Sequence, residues 1–133
     1  MTELLTRPLD GPYGLEVPDL DLANLAPGQV AALRDLWRRE PLLLLRRQNL
    51  TEAELVAFSR HFGELEIIVR KDIHSPRYPE VVYISNLKNE QGVNIGGLGS
   101  VDLRWHIDQS YRTRPATGAS SATGSRTSGR RPT

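Results

Sequence analysis

Tyr111 is the last large apolar or aromatic side chain in the sequence, and that break limits what the chain can fold into more than any other feature. From Arg112 to Thr133 every residue is Arg, Thr, Pro, Ala, Gly or Ser. Such a segment has too little apolar surface to offset the entropy lost on ordering, so disorder is expected. Any packed core must come from residues 1–111 of a 133-residue chain, which is one small domain at most. The change is abrupt, and an out-of-frame reading of GC-rich DNA produces this same restricted set of residues. The break also hides a charge asymmetry. Residues 1–111 carry 12 Lys or Arg against 16 Asp or Glu, a balance of −4, and the remainder carries five Arg and no acid.

An acidic body argues against a nucleic-acid partner, since the basic pI belongs to the tail. There is no cysteine, so neither a disulfide framework nor a thiolate metal site exists, and a reducing compartment is expected. Residues 1–8 lack the basic-then-apolar order of a secretory signal. The longest apolar run, residues 42–45, is far too short to cross a bilayer. These features together predict a cytoplasmic protein without a membrane partner.

The pattern of apolar residues predicts a mixed set of elements. Residues 13–17 alternate and stop at Pro18, as an early strand would. Val30, Leu33, Leu36 and Trp37 recur at helical spacing between Pro27 and Glu40, with Arg34, Arg38 and Arg39 on the other side. Pro41 ends that helix, and residues 42–45 follow as a short buried strand closed by Arg46 and Arg47. Thr51 and Glu54 form a capping box for a second helix, whose apolar stripe is Leu55, Phe58 and Phe62. Gly63 then suits a left-handed C-terminal cap. Strands are predicted at 67–69 and 81–85, with a Pro-punctuated loop at 71–79 between them. Residues 91–100, rich in glycine, read as a flexible approach to the segment that follows.

That segment, Trp105-His106-Ile107-Asp108-Gln109-Ser110-Tyr111, carries the chemistry. On an extended backbone His106 and Asp108 share a face. An imidazole and a carboxylate so placed are two of the three ligands of the two-His-one-carboxylate site of non-haem Fe(II) oxygenases. A lone His-x-Asp also occurs by chance as an ordinary surface pair, so the tripeptide alone is weak evidence. Trp105 shares its face with Ile107, opposite the ligands, and is expected in the core. Tyr111 either lines a cleft or packs. His61 and His74 are expected to be structural or solvated. Arg46 and Arg47 are read as closing a strand rather than as an anion site. The glycines at 92–99 lack the strand–loop–helix setting of a phosphate cradle.

Several motifs occur in register. Residues 42–51 (LLLLRRQNLT), His61-Phe62-Gly63-Glu64-Leu65, the 105–111 segment and Arg114-Pro115-Ala116 together resemble the TauD/TfdA family. The resemblance covers roughly residues 14–118 and implies an Fe(II)- and 2-oxoglutarate-dependent dioxygenase. The implied fold is α+β and mainly β: part of a double-stranded β-helix, or jelly roll, with N-terminal helices. On this reading residues 1–118 are the N-terminal part of the domain, and 119–133 are a disordered tail. His106 and Asp108 carry over as metal ligands. The family's second His, the Arg that pairs with 2-oxoglutarate and a Thr contacting that cosubstrate have no counterparts placed here.

The implied reaction hydroxylates a small organic substrate with O2, releasing succinate and CO2. Family members that use sulfonates place a His soon after the Phe-Gly-Glu-Leu motif, where this chain has Glu66-Ile67-Ile68-Val69, so taurine is not the expected substrate. With two ligands and no cosubstrate Arg, the polypeptide as it stands is expected to be inactive and prone to aggregate along unpaired strand edges. Homo-oligomerisation of a complete parent stays open. Two other classes compete: a non-catalytic remnant serving as an interaction module, and an RNA binder using the Arg-containing tail. The tail has no aromatic residue to stack bases, which weighs against the second.

Overall fold

The structure is a computed structural model, and it describes residues 2–98, 105, 106, 111 and 113. Three short strands make one mixed sheet: β1 (Arg7–Pro8), β2 (Leu15–Glu16) and β3 (Leu43–Leu44), in the order β1-β2-β3. The β1–β2 pair is antiparallel, with Pro8 opposite Leu15, and the β2–β3 pair is parallel, with Leu15 opposite Leu43. Parallel neighbours need a crossover, and α1 (Pro27–Arg39) supplies it. Gly14 has φ +101°, and a Cβ there would lie 2.9 Å from Leu9 and 3.3 Å from Leu42, so only glycine fits this turn into β2.

The helix predicted at 27–40 forms because its apolar stripe has something to cover. Leu33 is buried, Leu36 is partly buried, and Arg34, Arg38 and Arg39 face solvent. Helix α2 (Glu52–Arg60) follows its capping box as expected: Thr51 Oγ1 accepts from the Glu54 amide, and the Glu54 carboxylate accepts from the Thr51 amide at 2.7 Å. Thr51→Ala is expected to cost about 1 kcal/mol, read as a lower midpoint in chemical denaturation. Val17, Leu20, Leu22, Leu33 and Phe58 form the core, with Phe62 packed on its margin. Trp37 meets the edge of Phe62 at 5.6 Å and 85°.

Gln48 fixes the connection between the two halves of this core. Its carboxamide accepts from the Leu22 amide and donates to the carbonyls of Leu20 and Arg46. Arg46 pairs with Glu16 of β2, and Arg47 pairs with Asp19. Arg47 and Asp19 both adopt positive φ, near +57° and +60°.

Three sequence expectations are corrected here. Helix α2 does not end on a left-handed Gly63. His61 caps it with right-handed backbone, the His61 and Phe62 amides bond three residues back, and Gly63 sits at φ +157°. The tighter final turn already satisfies the carbonyls a glycine cap would serve. Residues 67–69 form no strand: Val69 is 93% exposed, and no ladder partner lies alongside among the described residues. Apolar residues there meet the β-propensity rule, but propensity without a facing sheet does not make a ladder. Among the described residues, 81–85 form no regular strand. They pair through the His74–Val82 bridge and the bonds Ser75 N to Val81 O and Tyr83 N to Ile73 O, and on the other side Gly97 N bonds Tyr83 O and Leu98 N bonds Ser85 O.

The loop expected at 71–79 holds a single 3-10 turn, Lys71–Ile73. The glycine-rich approach is also more ordered than its composition suggests. Residues 87–95 make a hairpin, bridged at Lys88 and Asn94 and turned at Gly92, whose φ is +77°. The described residues thus present a small mixed sheet with two helices, the α+β part of the expectation.

Candidate functional site

The 81–98 segment leads from the core toward the His-x-Asp motif, and a polar cluster fastens its start. Glu52 opens α2, where a carboxylate is favoured by the helix dipole. The Ser75 hydroxyl donates to Glu52 Oε2 at 2.6 Å, and the Tyr83 hydroxyl donates to Oε1 at 2.5 Å. Ser75 is buried and its oxygen also accepts from the amides of Arg77 and Tyr78. One carboxylate therefore ties α2 to both limbs of the 73–83 turn. At the other end of α2, Arg60 reaches Glu80 at 3.2 Å. Sequence reasoning missed this cluster; its only sequence signal was an extra acid in the first turn of α2.

The hydrogen bond from Ser75, then that from Tyr83, hold the Glu52 carboxyl below its ordinary 4.5, and Arg77 adds to this. The same contact with Glu52 pushes the Tyr83 phenol up. Glu54 is also lowered, first by the Thr51 amide and then by its hydroxyl. Folded-state values below the unfolded ones mean that both acids stabilise the fold above about pH 4.5, and that this support is lost as pH falls through the folded values. Acid should therefore weaken the tie between α2 and the 73–83 turn. In Glu52→Gln, amide-exchange protection at Ser75 and Tyr83 should be lower at pH 7 and change less between pH 7 and pH 4 than in the parent chain.

His106 is exposed and its neighbour Trp105 is fully exposed, at 105% of the reference area. The expectation that Trp105 packs in the core is therefore overturned: the core lies among the 17–22 segment, α1 and α2, and the ring is outside it. Tyr111 is 80% exposed. Asp108 lies outside the described residues, so the expected pairing of His106 with Asp108 has no geometry here. His61 is exposed at the end of α2; His74 is half-buried and its Nε2 is enclosed with no hydrogen-bond partner among the described residues. Among the described residues no three His, Cys, Asp or Glu gather as a metal site. Nor is any helix among them long and apolar enough to cross a membrane.

The donor types still fit a ferrous ion. An imidazole nitrogen and a carboxylate oxygen both suit Fe(II), and His106 is exposed.

Comparison with known proteins settles the family. The model of the taurine catabolism dioxygenase TauD, TfdA family matches residues 5–120. The chain belongs to the TauD/TfdA family. The match runs further at both ends than the motif resemblance did. Among TauD/TfdA relatives, the (S)-phenoxypropionate/alpha-ketoglutarate-dioxygenase of Delftia acidovorans is 29% identical over 127 residues, covering 89% of this chain and 41% of its own. The enzyme of the same name from Sphingobium herbicidovorans is 28% identical, covering 84% of this chain and 37% of its own. The alpha-ketoglutarate-dependent 2,4-dichlorophenoxyacetate dioxygenase of Cupriavidus pinatubonensis is 28% identical, with 82% and 41% covered. A crystal structure from Burkholderia xenovorans, of a protein with an inferred alpha-ketoglutarate-dependent taurine dioxygenase role, superposes with a TM-score of 0.57 at 33% identity. It covers 65% of this chain and 32% of that one. The chain thus spans about two fifths of the length of these curated relatives.

Proposed function

We propose that this chain forms the N-terminal part of an Fe(II)- and 2-oxoglutarate-dependent dioxygenase of double-stranded β-helix architecture. The single observation that carries the proposal is the family match over residues 5–120, which includes the His106-x-Asp108 motif. His106 and Asp108 would hold the ferrous ion, which when bound supplies activation of O2 and oxidative decarboxylation of 2-oxoglutarate to succinate and CO2. The chain's own residues contribute two donors of opposite kind. A neutral imidazole gives a nitrogen lone pair, and a carboxylate gives negative charge that offsets the cation's. By the family resemblance, sulfonate users carry a His in the stretch where this chain has Glu66-Ile67-Ile68-Val69, so taurine is not the substrate proposed.

The relatives named above act on phenoxypropionate and 2,4-dichlorophenoxyacetate, carboxylates with an apolar aromatic body. A small carboxylate of that class is the substrate proposed here. The double-stranded β-helix reading is supported by the Burkholderia structure and by the family match. A test joins residues 5–120 to the downstream part of the Delftia enzyme. The fusion should release succinate in proportion to phenoxypropionate consumed, and taurine should not stimulate it. Succinate release that responds to taurine and not to phenoxypropionate would contradict the substrate assignment.

The 133-residue chain alone is proposed to be inactive. Two protein donors hold a divalent ion less firmly than three, and none of its residues is assigned to anchor 2-oxoglutarate. Decarboxylation by the purified chain above a protein-free control would refute this.

A further inference from the structure

Among the described residues, nothing covers one face of the 87–95 hairpin. Its bridge joins Lys88 to Asn94, and Ile95 N bonds Leu87 O while Asn89 N bonds Val93 O. Side chains alternate along a strand, and opposed residues share a face. That places Leu87, Val93 and Ile95 together, with Asn89 beside Val93, on the side away from Lys88 and Asn94. All three are open to solvent, at 66%, 59% and 47%.

The hairpin is nevertheless anchored rather than loose. Gly96 is buried, and a Cβ on it would come within 2.6 Å of the Ser85 amide. Gly97 donates to the Tyr83 carbonyl at 2.9 Å and packs against Ile73. Tyr83 is in turn fixed to α2 through Glu52. An apolar patch held in place by tight backbone packing loses little entropy when a partner covers it.

Two features say what the partner is. The core residues Val17, Leu20, Leu22, Leu33 and Phe58 are already closed, and the largest exposures fall after α2, with Ile84 at 70% and Val69 at 93%. The matched relatives carry about three fifths of their length outside the segment this chain covers. His74 adds a polar signal: its enclosed Nε2, on the strand limb paired with 81–83, has no hydrogen-bond partner among the described residues.

We propose that the Leu87–Val93–Ile95 face is the docking seat for the downstream part of a TauD-type domain, and that it accepts this part even as a separate polypeptide. The proposal rests on family membership and not on the metal assignment.

The test co-expresses the full 133-residue chain with the part of the Delftia acidovorans enzyme that follows its matched segment. The two should co-purify at equal stoichiometry, and amides at 87–95 should gain exchange protection. The triple variant Leu87→Asp, Val93→Asp, Ile95→Asp should weaken capture roughly tenfold or more, because three apolar contacts become buried charges. Arg34→Asp, on the solvent face of α1, should leave capture unchanged. A one-chain fusion of the same two parts provides a second measurement, in which the triple variant should lower the thermal midpoint while Arg34→Asp does not. Absence of capture would overturn the proposal, and so would an unchanged midpoint for the fused triple variant. Capture that ignores the triple variant would overturn it too. So would light scattering showing that the chain alone dimerises through these residues, since the seat would then belong to a second copy. Alanine at His106 and Asp108 should leave capture intact, which separates failure of the docking seat from failure of the metal site.

Discussion

Replacing His106 or Asp108 by Ala, in a domain completed by the downstream part of a relative, is expected to abolish 2-oxoglutarate-dependent hydroxylation. Changes to groups that merely orient metal ligands cost about 10–100-fold, so loss of a ligand itself should exceed roughly a hundredfold. The fall should appear as lost metal occupancy, not as unfolding. His106 is exposed, and removing an exposed ring leaves no cavity. Metal content by elemental analysis and thermal midpoint, measured on the same samples, distinguish the two effects. Loss of activity with full metal retention would remove the ligand role. Asp108→Asn is a useful companion, because it keeps the shape and discards the charge that balances the cation.

Leu33→Ala should have the largest effect on stability. Leu33 is 1% exposed at the centre of the contact between α1, the 17–22 segment and Phe58. Truncation of a buried leucine costs about 2–5 kcal/mol, a large share of what a small core supplies. The cooperative denaturation transition should shift to much lower denaturant or vanish. The chain's two tryptophans make the readout specific: Trp37 packs against Phe62, whereas Trp105 is fully exposed. The emission change on unfolding should therefore come from Trp37 and disappear in Trp37→Phe. Leu33→Met, close in volume, should cost less than about 1.5 kcal/mol. Equal destabilisation by Ala and Met would place Leu33 outside a tightly packed core.

The N-terminal half of the fold was legible because its signals are local. Helical spacing of Val30, Leu33 and Leu36, a stop at Pro41 and the Thr51–Glu54 box each depend on residues within one or two turns, and α1 and α2 form where they predict. Legibility falls after α2, where strands need partners distant in the chain. Residues 67–69 and 81–85 have strand composition, but a ladder is a property of pairs. Gln48 and Glu52 escaped notice for a related reason: each is an ordinary polar residue until the fold brings Leu20, Leu22, Ser75 or Tyr83 alongside. The chemistry was read from types and spacing rather than from position. His106 and Asp108 are donors of the right kind, two residues apart, inside a run of motifs in family order.

The metal site can be tested most directly on the chain as it exists. Mn(II) shares the oxygen and nitrogen preferences that matter here, and its free-ion paramagnetic resonance signal falls when a protein binds it. Titrating Mn(II) into the 133-residue chain should diminish that signal weakly but saturably, and His106→Ala and Asp108→Ala should each restore it to the protein-free level. If both variants bind Mn(II) as the parent does, these two side chains are not the metal's ligands.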